Sequence, residues 1–242
     1  MNPIGKRHVI VAPSHAGMAA AQTIRDCDPF GTITVLSAEA DAPYFRPMIP
    51  FIISRAKTDR QILLQGQGPY RASGYDLHLQ TRVEKIDPAG RTVVTDTGEA
   101  IPYDRLLIAT GSTPHIPPDI QGCGTEGVFA LRTIDDARRA SRRAEQADHA
   151  VMLGGGLLNL KAAFALLERG LKVTLVVYSP EVLSQLMEPQ DAYLIRAALN
   201  DAGLVIQTGC SARKIIANGS GVSDLVLDDG SELACQMVCI GK

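Results

Sequence analysis

The sequence has no tryptophan, few aromatic residues and no surplus of either charge. Its 242 residues include 24 Lys and Arg against 26 Asp and Glu, which gives a net charge of −2. Proteins that bind nucleic acid electrostatically carry a basic surplus, so this class is disfavoured. Because 45% of the residues are apolar, global disorder is excluded as well. Length and composition predict one or two folded domains that do not bind nucleic acid.

Long apolar runs are also missing. No stretch approaches the roughly 18–20 apolar residues that a membrane-spanning helix needs. The first ten residues lack the apolar core and the small-residue cleavage site of a signal peptide. These absences predict a cytoplasmic protein without a membrane segment.

The cysteines do not form a pattern. They are odd in number, and no two are spaced as Cys-x-x-Cys: Cys27, Cys123, Cys210, Cys235 and Cys239. A disulfide framework or a zinc site is therefore disfavoured, and the histidines show no metal-ligand spacing either. We therefore expect no metal site. Most of the thiols should be reduced and buried, including that of Cys27, which we place on the core-facing side of the first helix.

What the sequence does contain is a strand, a small-residue turn, a helix and a second strand, in this order, twice. The first copy occupies residues 8–12, 13–17, 18–25 and 33–36. The second copy occupies residues 150–153, 154–156, 157–169 and 172–177. Each copy is typical of a right-handed βαβ unit. Two such units about 140 residues apart predict two nucleotide-binding folds of the α/β class.

The segments between the two copies complete the predicted domains. Residues 81–102 contain three short β segments separated by turn residues, as in an antiparallel meander. A buried strand at 105–108 follows, and the proline-rich stretch 113–118 is typical of a linker. We therefore place one domain at 1–114 and the other at 115–242. In the second domain, Thr133 to Asp136 has the form of a capping box and predicts a helix start.

A glycine-rich turn between strand and helix binds a pyrophosphate because free N–H groups and the helix dipole point at the anion. The first turn aligns with G-x-G-x-x-G/A but has Ala12 and Ser14 at the first two glycine positions. On its own, an ordinary β–α turn explains it equally well. Glu39, 22 positions after Gly17, lies just past the second strand, where an acid can accept both ribose hydroxyls. We favour this role for Glu39 over that of a surface residue.

Four motifs then occur in one order: Glu39, Pro43-Tyr44-x-Arg46-Pro47, the segment 103–111 ending in Ala-Thr-Gly, and Gly154-Gly155-Gly156-Leu157-Leu158. This combination resembles the FAD- and NAD(P)-linked pyridine nucleotide-disulfide oxidoreductases of glutathione-reductase-like fold. Ferredoxin and rubredoxin reductases and the flavin-binding front of nitrite reductase large subunits are the nearest in appearance. The likeness covers nearly the whole chain and implies an FAD domain followed by an NAD(P) domain, both Rossmann-like.

The resemblance also implies cofactor-binding residues. Those for FAD are Ala12, Ser14, His15, Ala16 and Gly17 in the pyrophosphate turn, Glu39 at the ribose, Arg46 and Pro47 beside the pyrophosphate and flavin, Val83 at the adenine, and Ala109, Thr110 and Gly111 over the cofactor. Those for NAD or NADP are Gly154, Gly156, Leu157, Leu158 and Asn159. For His15, the alternative is a turn histidine with a structural partner.

Some residues depart from the family pattern. Asn159 replaces the third small residue of the second turn, so it either loosens the contact between helix and strand or meets the dinucleotide. Lys161 stands where the family usually has Glu. Residues 177–179, Val-Tyr-Ser, offer neither the acid expected for NAD nor the arginines expected for NADP. The choice between NAD and NADP stays open at this point.

The resemblance implies an enzyme, an FAD-dependent NAD(P)H oxidoreductase that exchanges electrons with a ferredoxin- or rubredoxin-like partner. No catalytic side chain is expected, because the flavin carries the chemistry. The returning FAD segment and the interface domain of the family are absent from the sequence, so the FAD domain is expected to be incomplete. The alternative is a truncated, non-catalytic nucleotide-binding or scaffolding homologue. Homo-oligomerisation is left open, because relatives dimerise through the missing domain.

Overall fold

The computed structural model describes residues 5–64 and 74–241, which form two compact units. The first unit consists of the described residues within 1–45 and 60–112. The second consists of residues 46–59 and the described residues within 113–242.

Among its described residues, the first unit contains one α-helix and seven strands. In chain order they are β1 (Arg7–Val11), α1 (His15–Cys27), β2 (Thr32–Leu36), β3 (Asp76–His78), β4 (Val83–Asp87), β5 (Thr92–Thr95), β6 (Ala100–Pro102) and β7 (Arg105–Ile108). Strands β3, β2, β1 and β7 form a parallel sheet in this order, and β4, β5 and β6 form an antiparallel meander.

The central strand β1 separates two small cores, because successive side chains of a strand point to opposite faces. On one face, Ile10 packs with Met18 and Ala21 of α1. On the other face, Val9 packs with Val93 of the meander and with Tyr103. Helix and meander thus cover opposite faces of the parallel sheet.

The second unit contains four helices and eight strands among the described residues. They are α2 (Ile49–Ile53), β8 (Val128–Phe129), α3 (Ile134–Arg143), β9 (His149–Leu153), α4 (Leu157–Leu167), β10 (Lys172–Val177), α5 (Pro189–Asp201), β11 (Val205–Thr208), β12 (Ala212–Asn218), β13 (Gly221–Leu227), β14 (Glu232–Ala234) and β15 (Met237–Ile240). A parallel sheet has the order β11-β10-β9-β15-β8, and β12, β13 and β14 form an antiparallel sheet.

The parallel sheet of the second unit is covered on both faces, which explains the continuous apolar runs of its central strands. In β9, residues 150–153 are all buried. Val151 and Leu153 pack with Ile215 and Leu225 of the antiparallel sheet, and α4 packs against β9 and β10.

Both predicted βαβ units, the meander and the capping box are confirmed. At the start of α3, the Asp136 N–H donates to Thr133 Oγ1 at 3.1 Å, and the Thr133 N–H donates to Asp136 Oδ2 at 2.8 Å. The short elements α2, β3 and β8 were not predicted. Residues 46–59, which the sequence analysis assigns to the first domain, group with the second unit. The physical reason is that α2 packs against α3 and α4, and that Arg169 Nη1 donates to Ile53 O at 2.9 Å.

The prediction of a buried Cys27 was wrong. Its side chain is exposed at the last position of α1, because the buried face of this helix consists of Gly17, Met18 and Ala21 and the helical periodicity turns Cys27 away from it. Cys235 and Cys239 are buried as expected, and burial raises the pKa of each thiol to about 12.

The described residues contain neither a membrane-spanning helix nor a cluster of metal-ligating side chains. Among the helices of residues 5–64 and 74–241, none combines the length and the apolar character needed to cross a membrane. In the same part of the chain, no three His, Cys, Asp or Glu side chains are grouped closely enough to hold a metal ion.

Candidate functional site

The turn between β9 and α4 consists of three glycines with different structural constraints. Gly154 has φ +107°, a left-handed conformation, and a Cβ at this position would lie 2.6 Å from Gly241 O. A Cβ at Gly155 would touch Val177 at 3.2 Å. A Cβ at Gly156 would meet nothing within 4 Å. Packing therefore accounts for the first two glycines but leaves open space in front of the third.

The helix α4 begins with backbone donors that have no protein partner. Gly156 is the N-cap residue, and no side chain caps the helix. In the described part of the chain, the N–H groups of Gly156, Leu157 and Leu158 donate to no acceptor. Such free N–H groups, together with the positive end of the helix dipole, form a binding site for an anion.

A cavity of about 440 Å³ lies beside this turn. It is lined by the three glycines, residues 177–179, residues 183–186 and Gly241. Its size is within the range of small-molecule sites, and it lies at the carboxyl ends of the parallel strands β9 and β10.

Asn159 behaves differently from both alternatives of the sequence analysis. Its side chain is 2% exposed and does not line the cavity. Asn159 Nδ2 donates to Leu153 O at 2.7 Å and to Gly154 O at 2.9 Å, so the amide ties α4 to the end of β9. The larger residue thus replaces a close helix–strand contact with two hydrogen bonds.

The turn between β1 and α1 resembles the turn between β9 and α4 in its backbone but contains different side chains. Ala12 adopts φ +76°, which is the left-handed conformation that the first glycine of the motif normally supplies. Gly17 is buried, and a Cβ there would clash with Ala12 O. Within the described residues, the N–H groups of His15, Ala16 and Gly17 donate to no acceptor. This second helix start therefore offers free donors as well.

The Ser14 side chain contacts the segment that follows β7. Ser14 Oγ donates to Ala109 O at 3.3 Å, and the Ala109 N–H donates to Val11 O at 2.9 Å. The Ala-Thr-Gly segment that starts at Ala109 is thereby joined to the turn, with Thr110 and Gly111 exposed. In this arrangement the Ser14 hydroxyl hydrogen is directed to a carbonyl rather than to solvent.

Glu39 is held at the carboxyl end of β2, the neighbour of β1. Tyr44 Oη donates to Glu39 Oε2 at 2.6 Å, and the Gln80 N–H donates to Glu39 O at 3.0 Å. Ser14, Glu39 and Ala109 thus follow three adjacent parallel strands, β1, β2 and β7. The carboxyl ends of such strands are where α/β sheets bind ligands.

Two residues predicted to lie beside FAD are not part of the first unit. Arg46 and Pro47 belong to the second unit, where Arg46 Nη1 donates to Arg132 O at 2.8 Å. Both line a second cavity of about 280 Å³, together with Leu157 and Leu158 of α4. This cavity also includes Lys161, whose side chain is exposed.

Val83 and His15 have partners within the first unit. Val83 begins β4, pairs with Thr95 and packs against the core around Val9. The His15 ring is exposed at the start of α1 and lies 5.1 Å from the Phe45 ring, at an interplanar angle of 58°. The imidazole therefore has an aromatic neighbour in addition to the free N–H groups beside it.

Several residues that line the larger cavity were not among the predicted cofactor-binding residues. These are Tyr178 and Ser179 after β10, and Leu183, Ser184, Gln185 and Leu186 in the segment before α5. The position of residues 178–179 at the end of the second strand of a βαβ unit was a usable signal. Residues 183–186 carry no motif, and only the folded chain brings them to the turn.

Two parallel sheets, each with a helix that starts in a small-residue turn after the first strand, define a protein with two dinucleotide-binding folds. The chain belongs to the pyridine nucleotide-disulphide oxidoreductase family, whose model matches residues 6–242. The family, the two Rossmann-like folds and the resemblance stated in the sequence analysis are thereby confirmed.

Relatives and solved structures agree with this assignment. The chain is 30% identical over 234 residues to the NADH-dependent phenylglyoxylate dehydrogenase subunit epsilon of Aromatoleum evansii, covering 97% of this chain and 55% of the relative. It is 32% identical over 235 residues to a terpredoxin reductase of Pseudomonas sp, covering 96% and 57%. The crystal structure of a ferredoxin reductase from Rhodopseudomonas palustris matches with a TM-score of 0.90 at 27% identity, covering 98% and 58%. The chain thus spans a little over half the length of these relatives.

Proposed function

We propose that this chain is the nucleotide-binding part of an FAD-dependent NAD(P)H oxidoreductase that passes electrons between a nicotinamide nucleotide and a redox protein. In this proposal, the first unit binds FAD and the second binds NAD or NADP. The observation that carries it is the start of α4, where Gly156 leaves open space in front of free N–H groups.

The residues of the second unit fit a dinucleotide. A pyrophosphate at the start of α4 would accept hydrogen bonds from the N–H groups of Gly156, Leu157 and Leu158. The cavity at the end of β10 would take the adenosine half, since the second strand of a βαβ unit ends at the ribose. The smaller cavity, which borders Leu157 and Leu158, would take the nicotinamide half, with Arg46 and Pro47 on its wall.

The residues of the first unit fit FAD in a similar way. The N–H groups of His15, Ala16 and Gly17 would bind its pyrophosphate, and Glu39 would accept the ribose hydroxyls. The segment 109–111 would border the cofactor, because Ser14 joins it to the turn. The chemistry that FAD supplies when bound is the exchange between hydride transfer and one-electron transfer, so no catalytic side chain is needed.

The redox partner is proposed from the relatives. Terpredoxin reductase and rubredoxin-NAD(+) reductase are each about 30% identical to this chain, and their names state redox-protein partners. We propose a small ferredoxin- or rubredoxin-like protein as the partner of the whole protein to which this chain corresponds.

The proposal for the second unit is tested with Gly156→Asp. Gly156 has φ −81° and ψ 164°, a conformation open to any residue, and Asp is a favourable N-cap residue. We expect the urea midpoint to stay constant or rise slightly, while the carboxylate repels the pyrophosphate and weakens NAD⁺ and NADP⁺ binding at least tenfold in calorimetric titration. Unchanged nucleotide binding would contradict the assignment of this turn. Asn200→Asp, on the exposed end of α5, is the control, because it introduces the same charge away from the turn.

The proposal for the first unit is tested by the visible spectrum of the purified chain after incubation with FAD and gel filtration. A flavin band that NADH or NADPH bleaches supports an oxidoreductase. Colourless protein that binds only the nicotinamide nucleotide would instead support the non-catalytic nucleotide-binding module.

A further inference from the structure

We propose that the larger cavity of the second unit accepts NAD(H) and NADP(H) alike, with dissociation constants that differ by less than tenfold. The inference rests on the proposed function, because it assumes that this cavity binds the adenosine half of a nicotinamide nucleotide. The observation behind it is that none of the eleven residues lining the cavity carries a charge.

The two nucleotides differ only in the 2′-phosphate of the adenosine ribose. A carboxylate at the end of the second strand accepts hydrogen bonds from the ribose hydroxyls and repels a 2′-phosphate. A guanidinium in the same place pairs with the 2′-phosphate instead. A charge at this position therefore produces a strong preference for one nucleotide, and the sign of the charge decides which one.

In this chain, the corresponding position is occupied by neutral side chains. β10 ends at Val177, and Tyr178 and Ser179 follow in the cavity wall. Tyr178 is 74% exposed, so its ring is available to the adenine, which both nucleotides share. Nothing in this wall distinguishes a hydroxyl from a phosphate by charge.

The hydroxyl groups of the wall suit both nucleotides. Ser184 Oγ donates to Ser179 Oγ at 3.0 Å, and Ser179 Oγ donates to Glu181 O at 2.9 Å. Each hydroxyl keeps acceptor capacity for a ribose O–H and can rotate to donate to a phosphate oxygen. Neutral hydroxyls therefore stabilise either group without strong preference.

Glu181, which lies in the chain between the lining segments 177–179 and 183–186, is paired with an arginine. Glu181 Oε1 and Arg196 Nη1 form an ion pair at 3.2 Å, and their side chains are only 19% and 30% exposed. Neither residue lines the cavity. The arginine holds Glu181 through Oε1, and Oε2 is buried, so this carboxylate does not take the place of one that binds the ribose.

The test is calorimetric titration of the full chain with NAD⁺ and NADP⁺, which bind without donating a hydride. We expect dissociation constants within tenfold of each other. Tyr178→Asp should weaken NADP⁺ at least tenfold more than NAD⁺, and Ser179→Arg should strengthen NADP⁺ relative to NAD⁺ by a similar factor. Asn200→Asp and Asn200→Arg, on α5 and outside the cavity wall, introduce the same charges and should leave the ratio unchanged.

The outcomes separate this inference from the function on which it rests. A wild-type preference beyond tenfold for one nucleotide overturns the inference but leaves the proposed function intact. If Arg196→Ala weakened only NADP⁺, the arginine would be a phosphate ligand and the inference would also be overturned. Failure of both nucleotides to bind would overturn the proposed function and the inference together.

Discussion

The first residue of each candidate pyrophosphate turn has a left-handed backbone, and the two turns use different residues there. Gly154 has φ +107° and Ala12 has φ +76°. The left-handed conformation costs an L-residue about 1–2 kcal/mol, whereas glycine adopts it freely. The first turn therefore contains a local strain that the second one lacks.

We expect Ala12→Gly to stabilise the protein despite the greater flexibility of glycine in the unfolded chain. Relief of the strain, about 1–2 kcal/mol, exceeds the entropic loss of about 0.4–1 kcal/mol. The free energy of unfolding from urea titration should rise by about 0.5 kcal/mol. Ala19→Gly, an exposed position inside α1, is the matched control and should lower it by about 1 kcal/mol. Equal losses for both variants would argue against strain at Ala12.

A sequence motif can identify an unusual residue without predicting which atoms its side chain contacts. Comparison with the motif identified Ser14 and Asn159 as departures, but it did not predict the contacts of their side chains. In the fold, both make hydrogen bonds to main-chain carbonyls at the ends of strands. The partners Ala109 and Leu153 are determined by strand pairing and helix packing, which a local motif does not contain.

At the scale of elements, an ion pair joins the starts of two adjacent strands of the first unit. Asp104 precedes β7, and its carboxylate accepts three hydrogen bonds from Arg7 of β1: from the N–H at 2.8 Å, from Nε at 3.2 Å and from Nη2 at 2.8 Å. These bonds hold the pKa of Asp104 far below its usual value of 3.8. An ion pair at the start of both strands therefore stabilises the pairing of β1 with β7.

This contact predicts a pH dependence of stability. Because the folded-state pKa of Asp104 is depressed, its contribution is present above pH about 4 and is lost as the pH falls further and the carboxylate protonates. We expect Asp104→Asn to lower the thermal midpoint at pH 7 and the difference from wild type to shrink towards pH 2. Asp96→Asn, an exposed acid in the β5–β6 turn, is the control and should have little effect. A difference for Asp104→Asn that persists unchanged at pH 2 would assign the effect to packing.

The elements themselves differ in how far the sequence predicts them. Long periodic segments such as α4 and β10 were predicted within a few residues. By contrast, α2, β3 and β8 are two to five residues long and depend on neighbours that are distant in sequence. α2 is an example, because its Pro-containing segment Ile49–Ile53 is stabilised by α3 and α4. Short elements of this kind have too few residues to show a period.

At the scale of the whole molecule, two compact units imply two separately stabilised ligand sites. A ligand at 100 times its dissociation constant stabilises the folded state to which it binds by about 2.7 kcal/mol. We expect NADP⁺ to slow amide hydrogen exchange in β9, α4 and β10, and FAD to slow it in β1, α1 and β7. Exchange followed by mass spectrometry on peptides of both units measures this. Protection of the same segments by both ligands would contradict two distinct sites.

The sequence alone determined the two βαβ units, the turns at 12–17 and 154–156 and the family to which the chain belongs. These features are local, because strand, turn and helix signals lie within about 30 consecutive residues. The tertiary structure alone decided the wall of the larger cavity, the group formed by residues 46–59 with α3 and α4, and the carbonyl partners of Ser14 and Asn159. These depend on contacts between distant segments, and such contacts arise only when burial of apolar surface brings the segments together.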